Sequence, residues 1–173
     1  MPPTSRNRVL PMLWSALFLA APMLGAAPPS ETVARKTRAP LPPIYDTEML
    51  GKPEITSKIN VGIFTNRPIL INFGTNDCGA CRVVNMAMHE PRFFKELIKQ
   101  FVPVLVDVTP GTPNAALLKE YSIDPKKGLP VFVLLDNEGK FREATTNGEL
   151  VAAAKKGKEA VQEWILDRFE RPE

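Results

Sequence analysis

The only two cysteines of the chain, Cys78 and Cys81, closely follow a short apolar run from Pro68 to Phe73. The run has the length and composition of a buried strand, and the cysteines stand where a helix is expected to begin. Two thiols at this spacing can close a disulfide and open it again. The positive end of the helix dipole would also favour the thiolate form of the first sulfur. The segment therefore predicts a thiol–disulfide exchange site.

A purely structural disulfide is the alternative interpretation of the same pair. A bond between Cys78 and Cys81 closes a very short loop, so it restricts the unfolded chain little and stabilises the fold little. Small exported proteins that depend on disulfides for stability usually contain several of them, whereas this chain has one pair. Reactivity explains the pair better than stability does.

The N-terminus has the pattern of a secretory signal peptide. Arg6 and Arg8 precede an uncharged stretch over residues 9–27 that ends in small residues. We predict a signal peptide over residues 1–26, export to the periplasm, and no stable membrane insertion after cleavage. An uncleaved membrane anchor is the alternative, although the apolar span is short for a bilayer crossing and is interrupted by prolines.

Residues 27–43 are rich in proline and poor in apolar residues, which predicts a disordered leader before a folded domain over residues 44–173. Loss of residues 1–26 removes two arginines and no acidic residue, so the net charge falls from +3 to +1. A domain so close to neutral offers no basic surface to nucleic acid.

The folded part alternates between strand and helix patterns. We predict strands at residues 69–73, 102–108, 131–136 and 141–145, and helices at residues 54–64, 78–89, 93–100, 114–121 and around 161–169. Pro103 predicts an edge position for the second strand. Strand–helix–strand steps predict parallel pairing, and the final hairpin adds an antiparallel strand. The expected fold is α/β, with a mixed sheet and helices on both faces. The lysine-rich residues 155–158 are interpreted as a solvated lead-in to the last helix.

The helical spacing predicts different roles for the two cysteines. Residues three apart lie on the same side of a helix, so Cys78 would be exposed in the first turn and Cys81 shielded one turn deeper. We predict that Cys78 attacks or accepts a partner's sulfur and that Cys81 resolves the mixed disulfide. The carboxylate of Asp77 opposes a second negative charge on Cys78 and so counteracts the helix dipole.

No metal or cofactor is predicted. On a continuous helix His89, the only histidine, would lie about 12 Å from Cys81 and about 16 Å from Cys78 along the axis, too far to share a metal ion. The thioethers of Met86 and Met88 would suit Cu(I), but they do not face each other on a helix. We interpret both methionines as packing residues.

The strand with its cysteine pair resembles the active-site segment of the thioredoxin superfamily, with the closest likeness to exported bacterial thioredoxin-like, thiol:disulfide interchange proteins. The run Gly128–Val133 resembles the second signature of that superfamily, in which a proline enters a strand beside the cysteines. The resemblance implies a thioredoxin-like fold, a cis Leu129–Pro130 bond, and a Leu129 backbone that pairs with a bound extended peptide.

Three positions depart from the pattern of the superfamily. Asp77 replaces the usual tryptophan, and Ala80 replaces a common proline. Asn72 stands where a buried carboxylate assists proton transfer to and from the resolving thiol, and an amide cannot titrate. These departures bear on the reduction potential and leave the exchange chemistry in place.

The predicted function is that of a periplasmic thiol–disulfide oxidoreductase acting on exported cysteine-containing proteins. Such a protein needs a redox relay partner in the membrane, because glutathione does not set the thiol–disulfide redox potential of the periplasm. Two alternatives remain. Asp77 and Asn72 favour a thioredoxin-fold binding module with a structural disulfide. Copper delivery to an exported oxidase is less well supported, because no histidine follows His89.

Overall fold

The computed structural model describes residues 41–169. The strands are β1 (Ile69–Gly74), β2 (Val102–Asp107), β3 (Val131–Leu135) and β4 (Phe141–Ala144). The helices are α1 (Gly51–Thr65), α2 (Gly79–Met88), α3 (Pro91–Gln100), α4 (Ala115–Glu120), α5 (Glu149–Lys156) and α6 (Lys158–Phe169), with a 3₁₀ turn at Pro125–Lys127. The predicted signal peptide and most of the predicted leader lie outside the described residues. Within residues 41–169, no helix is both long enough and apolar enough to span a bilayer.

The four strands form one mixed sheet in the order β2-β1-β3-β4. β1 runs parallel to β2, with Ile69 opposite Val102, and antiparallel to β3, with Ile69 opposite Leu135. β4 completes the sheet as the antiparallel partner of β3. The predicted edge position of the second strand is therefore confirmed, and so is the mixed sheet.

The predicted parallel pairing of the third strand is wrong, because β3 is antiparallel to β1. A parallel crossover must carry the chain back along the full length of the sheet. The six residues of α4 span about 9 Å at 1.5 Å per residue, whereas a strand of that many residues spans about 20 Å. The chain between β2 and β3 therefore stays at one end of the strands, and it enters β3 from the end at which β2 finished.

Helices cover both faces of the sheet, as predicted. The side chain of Leu70 on β1 packs into a cluster with residues of α2, α3, α5 and α6. Its neighbours Ile69 and Ile71 point the other way, into a cluster with residues of α1 and α4. This alternation follows from the period of two along a strand, so the sheet separates two apolar layers.

One smaller expectation does not hold, and one helix was missed. Residues 149–156 form the helix α5, bounded by Gly148 and Gly157, which was not predicted. The predicted lead-in at residues 155–158 spans the junction of α5 and α6, and its Lys155 and Lys156 are exposed. Met86 is 61% exposed and is not a packing residue, whereas Met88 is buried as expected. The predicted helix at residues 54–64 is confirmed as part of α1.

Candidate functional site

The cysteine pair lies where β1 passes into α2, at the end of the sheet where β1 finishes and β3 begins. Cys78 and Cys81 form a disulfide with their Cα atoms 5.2 Å apart. Cys78 is partly exposed and Cys81 is completely buried, as the helical spacing predicted. A molecule approaching from solvent therefore reaches the first sulfur before the second.

The sulfur of Cys78 serves as the N-cap of α2. It accepts a hydrogen bond from the backbone N–H of Cys81 at 3.0 Å. The first N–H groups of a helix have no partner within the helix, and they carry the positive end of its dipole. A thiolate on Cys78 would be stabilised at this position.

Leu129 and Pro130 border the same sulfur from the other side. Their peptide bond is cis, as the resemblance implied. The carbonyl oxygen of Leu129 lies 3.3 Å from Cys78 Sγ, close enough to accept a hydrogen bond from a Cys78 thiol. Leu129 precedes the first paired residue of β3, Val131, so its backbone is outside the sheet ladder.

Asn72 lies in β1 and is completely buried. Its side-chain oxygen accepts a hydrogen bond from the hydroxyl of Tyr45 at 3.1 Å, and its amide nitrogen donates to Met88 Sδ at 3.6 Å. Burial raises the pKa of Tyr45 well above its usual value; the hydrogen bond to Asn72 opposes this rise, and the charge of Asp107 adds to it. Tyr45 is thus a neutral donor throughout the physiological pH range.

Tyr45 belongs to the strap, the segment over residues 41–50 that precedes α1. The side-chain oxygen of Asn76 accepts hydrogen bonds from the N–H groups of Ile44 at 2.6 Å and Tyr45 at 2.9 Å. Arg82 on α2 donates to the carbonyl oxygens of Pro42 at 3.0 Å and Asn76 at 2.9 Å. These bonds fix the strap to the turn that carries the cysteines.

A second buried amide holds the other end of the strap. The side chain of Asn114 accepts a hydrogen bond from the N–H of Gly51 at 2.7 Å and donates to the carbonyl of Met49 at 2.8 Å. The segment that carries Tyr45 is therefore attached at both of its ends.

Asp77 lies in the turn between β1 and α2 and is exposed to solvent. Among residues 41–169, no group of three or more histidine, cysteine, aspartate or glutamate side chains is placed to hold a metal ion. His89 is exposed and ends α2, where its ring stacks on Phe94.

Comparison with known proteins shows what the chain is similar to. A family profile described as thioredoxin-like matches residues 62–137. A disulphide isomerase from Xylella fastidiosa Temecula1 is 27% identical, with a TM-score of 0.67 over 73% of this chain and 97% of that one. The profile match and the shared fold support a thioredoxin-superfamily protein.

Other solved structures are more distant from this thioredoxin-like fold. The oxidised C-terminal domain of DsbD from Neisseria meningitidis is 21% identical, with a TM-score of 0.43 over 55% of this chain and 82% of that one. A mutant thioredoxin from Halobacterium salinarum NRC-1 is 20% identical, with a TM-score of 0.41 over 79% of this chain and 99% of that one. No curated protein sequence matches the chain.

The structure places the sequence-predicted site residues at the same end of the sheet. Cys78, Cys81, Leu129 and Pro130 meet there, with exposed Asp77 next to Cys78. Asn72 is buried in β1, two residues before that strand ends. Sequence reasoning missed Tyr45, Asn76 and Arg82. One signal could have pointed to Tyr45, because a buried amide at Asn72 requires hydrogen-bond partners from another segment.

An apolar groove of about 710 Å³ opens beside Leu129. Its apolar lining comes from the end of β2, from α4 and from the loops on either side of α4. The lining includes Val108, Pro110, Ala115, Leu118, Ile123 and Leu129. The groove thus adjoins the backbone segment that faces the sulfur of Cys78.

Proposed function

We propose that this protein exchanges disulfides with cysteine-containing proteins, with Cys78 as the attacking sulfur and Cys81 as the resolving thiol. One observation carries the proposal: the Cys81 N–H donates to Cys78 Sγ at 3.0 Å, at the start of a helix, while Cys81 itself is buried. The first sulfur has both access and stabilisation as a thiolate, and the second can react only within the site. The likeness to a disulphide isomerase supports this chemistry.

The exposed carboxylate of Asp77 acts against the thiolate, but more weakly than the helix terminus acts for it. Water and salt screen a charge at the protein surface, whereas the Cys81 N–H contacts Cys78 Sγ directly. Asp77 modulates the reactivity of the pair in this proposal and does not abolish it.

Leu129 and Pro130 form the platform for the substrate in the same proposal. The Leu129 backbone lies outside the sheet ladder and borders Cys78, so an extended peptide can pair with it as an added strand. Main-chain pairing places the substrate's sulfur near Cys78 whatever the peptide sequence. The adjoining apolar groove offers a place for a hydrophobic side chain of the same peptide.

The proposed partners are exported proteins with cysteines, together with a membrane redox relay that restores the working state of the pair. Arg6, Arg8 and the apolar stretch that follows support export by a signal peptide over residues 1–26. Expression of the full chain in a Gram-negative host tests this part: periplasmic protein that starts near residue 27 is expected. Uncleaved protein in the membrane fraction would contradict it.

Trapping of mixed disulfides tests the exchange function. In a Cys81→Ala variant, mixed disulfides on Cys78 should accumulate in periplasmic extracts, because the resolving thiol is gone. A Cys78→Ala variant is the matched control and should trap nothing. If Cys81→Ala also traps nothing, and the wild-type disulfide stays closed in strongly reducing buffers, the protein is a binding module with a structural disulfide.

A further inference from the structure

The phenol of Tyr45 borders the buried sulfur of Cys81. Gly74, the last residue of β1, lies between the two side chains and contributes no side-chain atom. A Cβ atom placed on Gly74 would overlap the Tyr45 hydroxyl and would lie 3.0 Å from Cys81 Sγ. The hydroxyl and the sulfur therefore face the same small volume, which the missing methyl group leaves open.

We propose that Tyr45 is a positioning residue for the reaction of Cys81, and that its hydroxyl donates a hydrogen bond to the Cys81 thiolate whenever the disulfide opens. The inference rests on the proposed exchange function and adds a group to it. It also accounts for the amide at Asn72, which cannot titrate: a tyrosine from the strap, bound to that amide, supplies a donor at the resolving sulfur.

The hydroxyl can change its acceptor when the disulfide opens. In the disulfide form Tyr45 donates to Asn72 Oδ1 at 3.1 Å. A disulfide sulfur is a weak acceptor, so it does not compete for that proton. A buried thiolate is a much stronger acceptor and is costly without a donor. Because a hydroxyl hydrogen rotates freely about its C–O bond, it can turn from Asn72 to Cys81 when the thiolate forms.

Tyr45 keeps its proton in this role. Its burial raises its pKa; the hydrogen bond to Asn72 opposes the rise, and the negative charge of Asp107 adds to it. Asp107 on β2 is itself held by the N–H and hydroxyl of Thr109, at 3.2 Å and 2.9 Å. Among the other charged groups nearby, Arg82 donates to backbone carbonyls and Asp77 points to solvent. The phenol therefore acts as a hydrogen-bond donor and not as a base.

The exchange step is balanced with Tyr45 unchanged. A partner thiolate attacks Cys78 Sγ, a sulfur–sulfur bond forms between them, and the Cys78–Cys81 bond breaks. Cys81 leaves with the electron pair as a thiolate, which accepts the Tyr45 hydrogen bond and later takes a proton from water. In the reverse direction the same thiolate attacks Cys78 in the mixed disulfide and releases the partner's thiolate. Tyr45 favours the Cys81 thiolate in both directions.

A two-phase colour release tests the proposal on the whole protein. Reduced protein reacts with an aromatic disulfide that liberates a coloured thiolate, first when Cys78 attacks it and again when Cys81 resolves the mixed disulfide. In Tyr45→Phe, the second release should be about tenfold slower near neutral pH, and its pH midpoint should rise by about one unit. The first release should be unchanged. Tyr121→Phe, at the other tyrosine among the described residues, is the control and should alter neither phase.

The outcomes separate the two proposals. Equal second phases in Tyr45→Phe and wild type would overturn the role of Tyr45 and leave exchange intact. Absence of a second release in wild type would overturn both. A measurement on wild type covers the case in which Tyr45→Phe fails to fold. In the reduced protein, the nuclear magnetic resonance signal of the Tyr45 carbon that bears the hydroxyl should follow the ionisation of Cys81. A signal that stays constant over that pH range contradicts the proposal.

Discussion

The carbonyl oxygen of Leu129 lies 3.3 Å from the sulfur of Cys78, although 51 residues separate them in the chain. One group comes from the turn after β1 and the other from the loop before β3, and the two strands are neighbours in the sheet. The sheet order therefore brings the sulfur of Cys78 beside backbone that lies outside the sheet ladder. A peptide held on that backbone would present its own sulfur to Cys78.

The difference in burial predicts different reactivity for the two thiols. Reduced Cys81→Ser, which keeps the partly exposed Cys78, should react with iodoacetamide at neutral pH at least about tenfold faster than reduced Cys78→Ser, which keeps the buried Cys81. Mass spectrometry of the alkylated protein measures both rates. Equal rates would show that exposure and the helix terminus do not distinguish the two sulfurs.

The apolar groove predicts a preference for peptides with a hydrophobic residue near the cysteine. Ala115 lines the groove, so a charge introduced by Ala115→Glu should lower kcat/KM for such a peptide by about tenfold, through a higher KM. The exposed Ala116 lies on the same helix and does not line the groove, which makes Ala116→Glu the matched control. Steady-state exchange with peptides of both kinds measures the effect. An equal loss with a polar peptide would contradict binding in the groove.

Gly74 and Gly79 should respond in opposite directions to the same substitution. A methyl group at Gly74 overlaps the Tyr45 hydroxyl, so Gly74→Ala should destabilise the oxidised protein by about 1–3 kcal/mol. A methyl group at Gly79 meets no atom within 4 Å and lies in the first turn of α2. Gly79→Ala should therefore stabilise it by about 0.5–1 kcal/mol. Urea unfolding measures both changes in the free energy of unfolding. An unchanged value for Gly74→Ala would show that the strap can move away from Gly74 at little cost.

Glu90 predicts a pH dependence of stability. The backbone N–H of Phe93 lowers the pKa of Glu90, and the N–H of Arg92 and the charges of Lys158 and Arg92 lower it further. The folded protein thus favours the ionised form, so this contribution to stability is complete above the unfolded pKa. It is lost as the pH falls through the folded pKa.

Glu90→Gln tests this dependence. The variant should be less stable than wild type at neutral pH, and the difference should close as the pH falls below the folded pKa of Glu90. Urea unfolding over a pH series measures the difference in unfolding free energy. A difference that stays constant with pH would assign the effect to shape and not to charge.

The sequence predicted most of the elements that form the centre of the site. β1 and α2 are strongly patterned, because one is a buried apolar run and the other begins at capping residues. The direction of β3 was predicted wrongly, because it depends on α4 being too short to cross the sheet. The helix α5 was not predicted, because it has only eight residues between two glycines with positive φ.

Tyr45 shows why the rest of the site could not be predicted from local pattern. Its role depends on a hydrogen bond to Asn72, 27 residues away, and on the absence of a side chain at Gly74. Neither relation has a periodicity in the chain. The resemblance to the superfamily identified Asn72 as a departure but contained no sign of the residue that accompanies it.

The attachment of the strap determines how much of the chain is needed to keep the cysteine site intact. The thioredoxin-like profile begins at residue 62, beyond the strap and the first part of α1. A fragment cut at that boundary would retain both cysteines but lose Tyr45. The side-chain oxygen of Asn72 would then lose the hydrogen bond that the Tyr45 hydroxyl donates to it. Transplanting this centre into another protein therefore means moving two separate stretches of chain together.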